Sequence, residues 1–153
     1  MWTRARDAGA WTEYDKRNYG IADDMLSFGL LCLYAVLTAF SSKDALDGPR
    51  LYRLVQTTFD SDLMQFRDYC REDSEFDAAV AFLDMGDKVG WELIQALVQL
   101  DWKSRPTAVS CLNHPFLNGN AIWRSGNGRE PTEATTECSF PGHGHRSNAH
   151  QDW

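Results

Sequence analysis

The loudest apolar signal runs from Ile21 to Phe40, IADDMLSFGLLCLYAVLTAF, and no residue from Met25 to Ser42 is charged. Apolar positions occur all round the helical wheel, so the segment predicts a helix covered on every side, by protein or by lipid. A bilayer span needs about 20 apolar residues. This run includes Ser27, Gly29 and Thr38, so hydropathy alone leaves both readings open. Further along, shorter stretches repeat at helical spacing. Leu51, Leu54 and Val55 mark a helix over 50–57, and Leu63, Phe66 and Cys70 mark one over 60–71 capped by Ser61 or Asp62. Phe76, Val80 and Leu83 predict a helix over 74–84 opened by Ser74. Trp91, Ile94, Leu97, Val98 and Leu100 form a wide core-facing stripe over 91–100. Thr107 caps a last helix over 108–113 that carries Val109 and Leu112, and His114-Pro115 ends it.

Breaks separate these elements. Ser41 to Pro49 reads as a loop, Gly86 and Gly90 bracket another, and Asp101 to Pro106 is a turn. Gly20 divides the long helix from residues 1–20, which are polar and aromatic without a period. Trp11, Tyr14 and Tyr19 there need burial that nothing local offers. No strand pattern or internal repeat is present. From Asn118 onward Gly, Asn, Ser, Thr and Glu dominate, the composition of a disordered tail. The expected fold is mainly α, with the packed helices in 21–117 and the tail in 118–153.

With 153 residues and 43% hydrophobic content the chain suits one domain. A net charge of −7 argues against nucleic acid or anionic lipid as partner, since both require basic patches. Acidic residues concentrate between Asp60 and Asp87, where only Arg67 and Arg71 offset them. That stretch reads as a solvated helical face or as a dock for a basic partner. Cys32, Cys70, Cys111 and Cys138 fit no disulfide framework and no metal clip. Cys32 and Cys111 lie in apolar patterns and are expected as core thiols, which points to an intracellular, reducing compartment. Met1 to Asp7 lacks the apolar centre of a secretory signal. Cys138, His143, His145 and His150 are zinc-ligand types close together. Their spacing matches no zinc finger and no core surrounds them, so chance enrichment is the simpler reading.

Two segments together resemble the C-terminal lobe of eukaryotic-type protein kinases. Asp24-Met25-Leu26-Ser27-Phe28-Gly29 is similar to the family's D-x-W-S-x-G, with Leu26 in place of tryptophan. Leu97 to Leu117, LVQLDWKSRPTAVSCLNHPFL, is similar to its closing L-x-x-D-x-x-x-R-P-T-x-x-x-x-L-x-H-P-F. The match covers about residues 10–117 and argues against a membrane span at 25–42. Scattered residues between them, Asp60-Ser61-Asp62-Leu63, Phe82-Leu83-Asp84-Met85-Gly86 and Val89-Gly90-Trp91-Glu92-Leu93, resemble the chloroplast state-transition serine/threonine kinases of plants and algae. That finer likeness implies the chloroplast as a compartment.

The resemblance implies structural anchors rather than catalytic residues. Asp24 matches the aspartate that accepts backbone N–H groups of the catalytic loop; the plainer reading is a carboxylate favoured at a helix N-terminus. Arg105 matches the arginine that pairs with the glutamate closing the activation segment, here Glu13 in Trp11-Thr12-Glu13, where the family's alanine and proline are both missing. Its plainer reading is a surface arginine after a turn. Asp101 is expected to fix that turn. Residues 1–20 would be a remnant of the activation segment and linker.

Phosphoryl transfer needs a Gly-rich phosphate loop, a lysine, a catalytic aspartate with its asparagine, and a magnesium-binding aspartate. Ser27-Phe28-Gly29, Arg67-Asp68 and Gly126-Asn127-Gly128 mimic pieces of these without the required residues. The chain alone is therefore expected to bind no cofactor and to be inactive, Mg-ATP belonging to an intact parent kinase whose N-lobe is missing here. Three functions remain: part of a serine/threonine kinase acting on a protein substrate, a non-catalytic kinase-like lobe that docks a protein partner, or an unrelated small helical or membrane-anchored protein. Without an N-lobe and catalytic loop the long helix is expected to lack cover on one side. Four large apolar side chains left in water would forfeit roughly 6–12 kcal/mol, so the isolated chain is expected to aggregate or to form a molten globule.

Overall fold

Thr12 opens the dominant helix. Its hydroxyl accepts the Asp15 N–H at 3.0 Å, and the Asp15 carboxylate accepts the Thr12 N–H at 3.2 Å, a reciprocal capping box. The hydrogen bond from Thr12 holds the Asp15 carboxyl below its ordinary value. The computed structural model describes residues 2–41 and 46–119. They form a mainly α fold with no strand among the described residues. In order the helices are α1 (Trp2–Asp7), α2 (Glu13–Phe40), α3 (Gly48–Arg53), α4 (Leu63–Arg71), α5 (Asp77–Leu97) and α6 (Ala108–Leu112). A π-helical turn, Leu54–Thr58, continues α3, and 3-10 turns at Ser74–Phe76 and Trp102–Ser104 flank α5. Cys138, His143, His145 and His150, read as chance enrichment, and nearly all of the predicted tail lie outside the described residues.

α2 departs from the sequence expectation at its start. Gly20 does not end a preceding segment; it lies inside the helix. A helical glycine costs up to about 1 kcal/mol, and here its neighbours outweigh that. Tyr19 and Ala22 bury against Ala5, Ala10 and Trp102 in a small cluster under α1. The Trp102 indole N–H donates to the Ala8 carbonyl at 3.0 Å, and the Tyr19 and Trp102 rings meet edge to face at 5.8 Å. Trp11 and Tyr14, also expected to seek burial, stay exposed.

α5 departs in its middle. Met85 is extended, and Gly86, Asp87 and Lys88 all take left-handed φ near +65°. Gly86 accepts this freely, whereas Lys88 is held there against its side chain's preference. The break divides α5 into arms over 77–84 and 89–97. Gly90, expected to close a loop, instead sits buried in the second arm; a Cβ there would come within 2.9 Å of the Leu83 carbonyl and the Phe116 ring. Asp73, and not the expected Ser74, is the cap here: it accepts the Glu75 N–H and so caps the 3-10 turn before α5, while α5 itself has no side-chain cap. Asp62 caps α4 and Thr107 caps α6, both among the expected residues.

The main core lies between α2 and α5. Leu33 and Leu37 of α2 meet Leu51, Val55, Leu63, Phe66, Leu83, Trp91, Ile94 and Val98, all fully buried or nearly so. Each such side chain contributes about 1.5–3 kcal/mol through removal from water. Gln95 ties α4 to α5: it accepts the Leu63 N–H at 2.8 Å and donates to the Ser61 carbonyl at 2.8 Å, satisfying polar groups that the packing covers. Cys70 and Cys111 are buried thiols, while Cys32 is half-buried.

The tightest helix contact is at Gly29. A Cβ there would stand 2.6 Å from the Leu97 Cβ and 3.4 Å from Val98 Cγ1. The obstacle is itself a Cβ and cannot rotate away, so α2 and α5 would have to separate. Gly29→Ala should therefore lower stability by about 1–3 kcal/mol, read as a lower urea midpoint at unchanged m-value. Trimming the obstructing side chain, in a Gly29→Ala/Leu97→Ala double variant, should give no rescue.

Candidate functional site at the Arg105 junction

Arg105 sits where three segments converge. The 3-10 turn before it is set by Asp101, whose carboxylate accepts the Lys103 N–H at 3.1 Å and the Ser104 hydroxyl at 3.1 Å. That turn aims the half-buried guanidinium back over the chain. Its Nε donates to the Gln99 carbonyl at 2.8 Å, just past the end of α5, and its Nη1 donates to the Ala22 carbonyl of α2 at 3.0 Å. Carbonyls at a helix C-terminus lack intrahelical donors and favour a cation. Burial lowers the Arg105 pKa, and Asp23, Tyr19 and Asp101 oppose that at longer range.

The pair expected between Arg105 and Glu13 is not formed. Glu13 is exposed and bridges to Lys16 one turn along. The reason is the continuity of α2: nine residues of helix put Glu13 about 13 Å from Ala22 along the axis. Two carbonyls take the place of a carboxylate. The Asp24 side chain is exposed and makes no hydrogen bond or ion pair with any described residue. Its neighbour Asp23 instead receives Arg4 of α1 at 3.1 Å. The role expected for Asp24 needs backbone donors from a catalytic loop, and this sequence carries none.

A cleft of about 440 Å³ opens beside Arg105, lined by Asn18, Ile21, Met25, Lys103 and Thr107 among others. Lys103 lies over the Trp102 ring, 5.4 Å from its centre. A smaller cleft of about 170 Å³ is lined by Arg50, Tyr69, Cys70, Asp73 and Glu75. Burial pushes the Cys70 thiol up to about 12, with Asp73 adding to it, so the sulfur stays protonated and poorly nucleophilic. No group of three or more His, Cys, Asp or Glu able to hold a metal occurs among the described residues. His114 spends its Nδ1 locally, accepting the Phe116 N–H at 3.3 Å. These arrangements can bind and brace; none pairs a nucleophile with a base.

Sequence reading missed a second polar anchor. Arg67, noted for a false catalytic-loop match and as an offset to the acidic stretch, grips Asp84 with two parallel bonds, Nε to Oδ1 at 2.8 Å and Nη2 to Oδ2 at 2.7 Å. The fork joins α4 to the first arm of α5. Those bonds from Arg67 hold the Asp84 carboxyl below its ordinary value, and the carboxylate in turn raises Arg67. Trp91 Nε1 is buried without a hydrogen bond of ordinary geometry and adds only a weaker pull on Asp84. The partners lie 17 residues apart, so no local spacing signals them.

Two outcomes follow from these anchors. Arg105→Met should cost about 1.5–3 kcal/mol by urea denaturation, and Arg105→Lys should recover only part of it, because an ammonium cannot span both carbonyls as the guanidinium fork does. For Asp84, the folded pKa is below the unfolded one. Its contribution is present above the ordinary value of 3.8 and is lost as pH falls through the lowered value. Asp84→Asn should cost about 1.5–3 kcal/mol at pH 7, and the difference from the parent chain should shrink when both are unfolded near pH 3.

α2 is long and apolar enough to cross a membrane by length and composition, and a third of its most apolar window is buried inside the protein (33%). Set against protein-family models, curated proteins and solved structures, the chain matches none of them.

Proposed function

We propose that this chain is the helical scaffold of a protein-kinase-like C-lobe, whose parent enzyme transfers the γ-phosphate of ATP to serine or threonine hydroxyls of a protein substrate. The observation that carries this reading is the meeting of the two motif segments. Gly29, the last residue of the first, packs directly against Leu97 and Val98, where the second begins. Arg105 of the second donates to the Ala22 carbonyl, two residues before Asp24. Phe116, in the His-Pro-Phe end of the second, packs on Phe82 and over Gly90. Segments this far apart have no local reason to converge, and their convergence is what one shared lobe requires.

In this reading the chain supplies support and not chemistry. The lysine, catalytic aspartate and magnesium ligand that phosphoryl transfer needs have no counterpart in its sequence, and Mg-ATP would be held by the parent. The exposed side of α2 that carries Asp24 is the side the resemblance assigns to the catalytic loop. A second reading, a non-catalytic module that docks a basic protein, is favoured by one observation: Asp68, Glu72, Asp73 and Asp77 are all exposed around the α4–α5 connection.

The deciding experiment starts from the transcript upstream of Met1. The kinase reading expects an in-frame Gly-rich loop, lysine and catalytic aspartate there, and expects the joined chain to phosphorylate a generic serine/threonine substrate. In that joined chain Asp24→Asn should lower kcat by about a hundredfold, because a catalytic loop displaced by an ångström loses its alignment. An upstream sequence without such a frame, together with tight binding of basic peptides by the chain itself, would select the docking module instead.

A further inference from the structure

α2 carries two apolar stripes. One, through Ala22, Leu26, Gly29, Leu33 and Leu37, faces the core. The other faces solvent at Tyr14, Arg17, Ile21, Asp24, Phe28 and Leu31, spaced alternately by three and four residues, the repeat of a helix-pairing seam. Its apolar members are far from covered: Tyr14 is 73% exposed, Ile21 54%, Phe28 37% and Leu31 61%. Arg17 and Asp24 sit within this stripe, both exposed, and neither side chain makes a hydrogen bond or ion pair with a described residue. Seven residues put them about 10 Å apart along one helix, too far to pair with each other.

We infer that this outer stripe of α2 is a self-complementary interface that takes a second copy of the chain, antiparallel, about a two-fold axis near Ile21. The register follows from the sequence. A two-fold axis at Ile21 sets Ile21 against its own copy and Tyr14 against Phe28 of the other chain. Arg17 falls within one residue's rise of the other chain's Asp24, a gap its long side chain spans, and symmetry makes that ion pair twice. A parallel arrangement would instead set Arg17 against Arg17 and Asp24 against Asp24, which costs several kcal/mol. Antiparallel pairing also sets opposite helix ends side by side.

The two charges also decide between occupants. A lipid surface would bury the stripe but would offer Asp24 and Arg17 no fixed partner, and an unpaired charge in an apolar medium is expensive. Any other protein would need the same pattern inverted, which a second copy has by symmetry. The inference rests on this spacing alone and does not depend on the kinase-like reading. Where a catalytic loop covered the same face, the two occupants would exclude each other.

The test is sedimentation equilibrium of the full chain over a concentration series. A monomer–dimer equilibrium is expected in place of the aggregation expected of an uncovered long helix, because the second copy supplies that cover. Arg17→Glu and Asp24→Lys, each alone, should weaken self-association by roughly tenfold or more, since each places two like-charge pairs across the axis. Both positions are exposed, and helix content by circular dichroism checks each fold. The Arg17→Glu/Asp24→Lys double variant should dimerise again, and an equimolar mixture of the two single variants should form the heterodimer. A chain that stays monomeric throughout overturns the proposal. So does self-association indifferent to both reversals, or co-sedimentation with neutral phosphatidylcholine vesicles in place of dimerisation.

Discussion

The fold depends on how closely α2 can approach α5. At Gly29 the two backbones are separated by little more than the Leu97 side-chain base, and that proximity lets Leu33 and Leu37 reach Trp91, Ile94 and Val98 in one core. A hydrogen atom in place of a methyl group is thus the condition for the rest. With the helices at this distance, the turn after α5 brings Arg105 back onto the Ala22 carbonyl, and Trp102 onto Ala8. Without it, neither the guanidinium nor the indole would reach.

Two polar devices then divide the work of fixing orientation. Arg105 binds the N-terminal half of α2 to the end of α5 through carbonyl oxygens, and Arg67 binds α4 to the first arm of α5 through a carboxylate. Each guanidinium spans two acceptors, so each restrains rotation as well as separation. Gln95 does the same for the start of α4 with an amide. The apolar core supplies most of the stabilisation, and these three side chains select one arrangement of its helices.

Much of this was legible in the sequence, and the residues show where legibility ends. Thr107, Asp62 and Asp101 could be named as caps because a cap acts within three residues. The apolar stripe from Trp91 to Val98 was also readable, although Leu100, expected to continue it, is exposed. For Arg105 the resemblance pointed to an anchor but to Glu13 as its partner. Four features were not readable. The start of α2 was obscured because Gly20 looks like a boundary unless the packing of Tyr19 and Ala22 is known. The grip of Arg67 on Asp84 and the choice of carbonyls over Glu13 for Arg105 depend on helix placement in space, which no local pattern encodes. The solvent-facing stripe of α2 was hidden for the opposite reason: on a wheel that is apolar all round, only the packed structure separates the inner face from the outer.

The long loop between Ala22 and Arg105 has a consequence for biosynthesis. These residues are 83 positions apart, and chains are made at about 5–20 residues per second, so α2 leaves the ribosome roughly 4–17 s before its latch. Its inner stripe gains partners only as α3, α4 and α5 follow, since Leu33 and Leu37 pack on side chains from Leu51 to Val98. The nascent polypeptide therefore presents an apolar rod to whatever shields emerging chains until those later helices arrive to cover it.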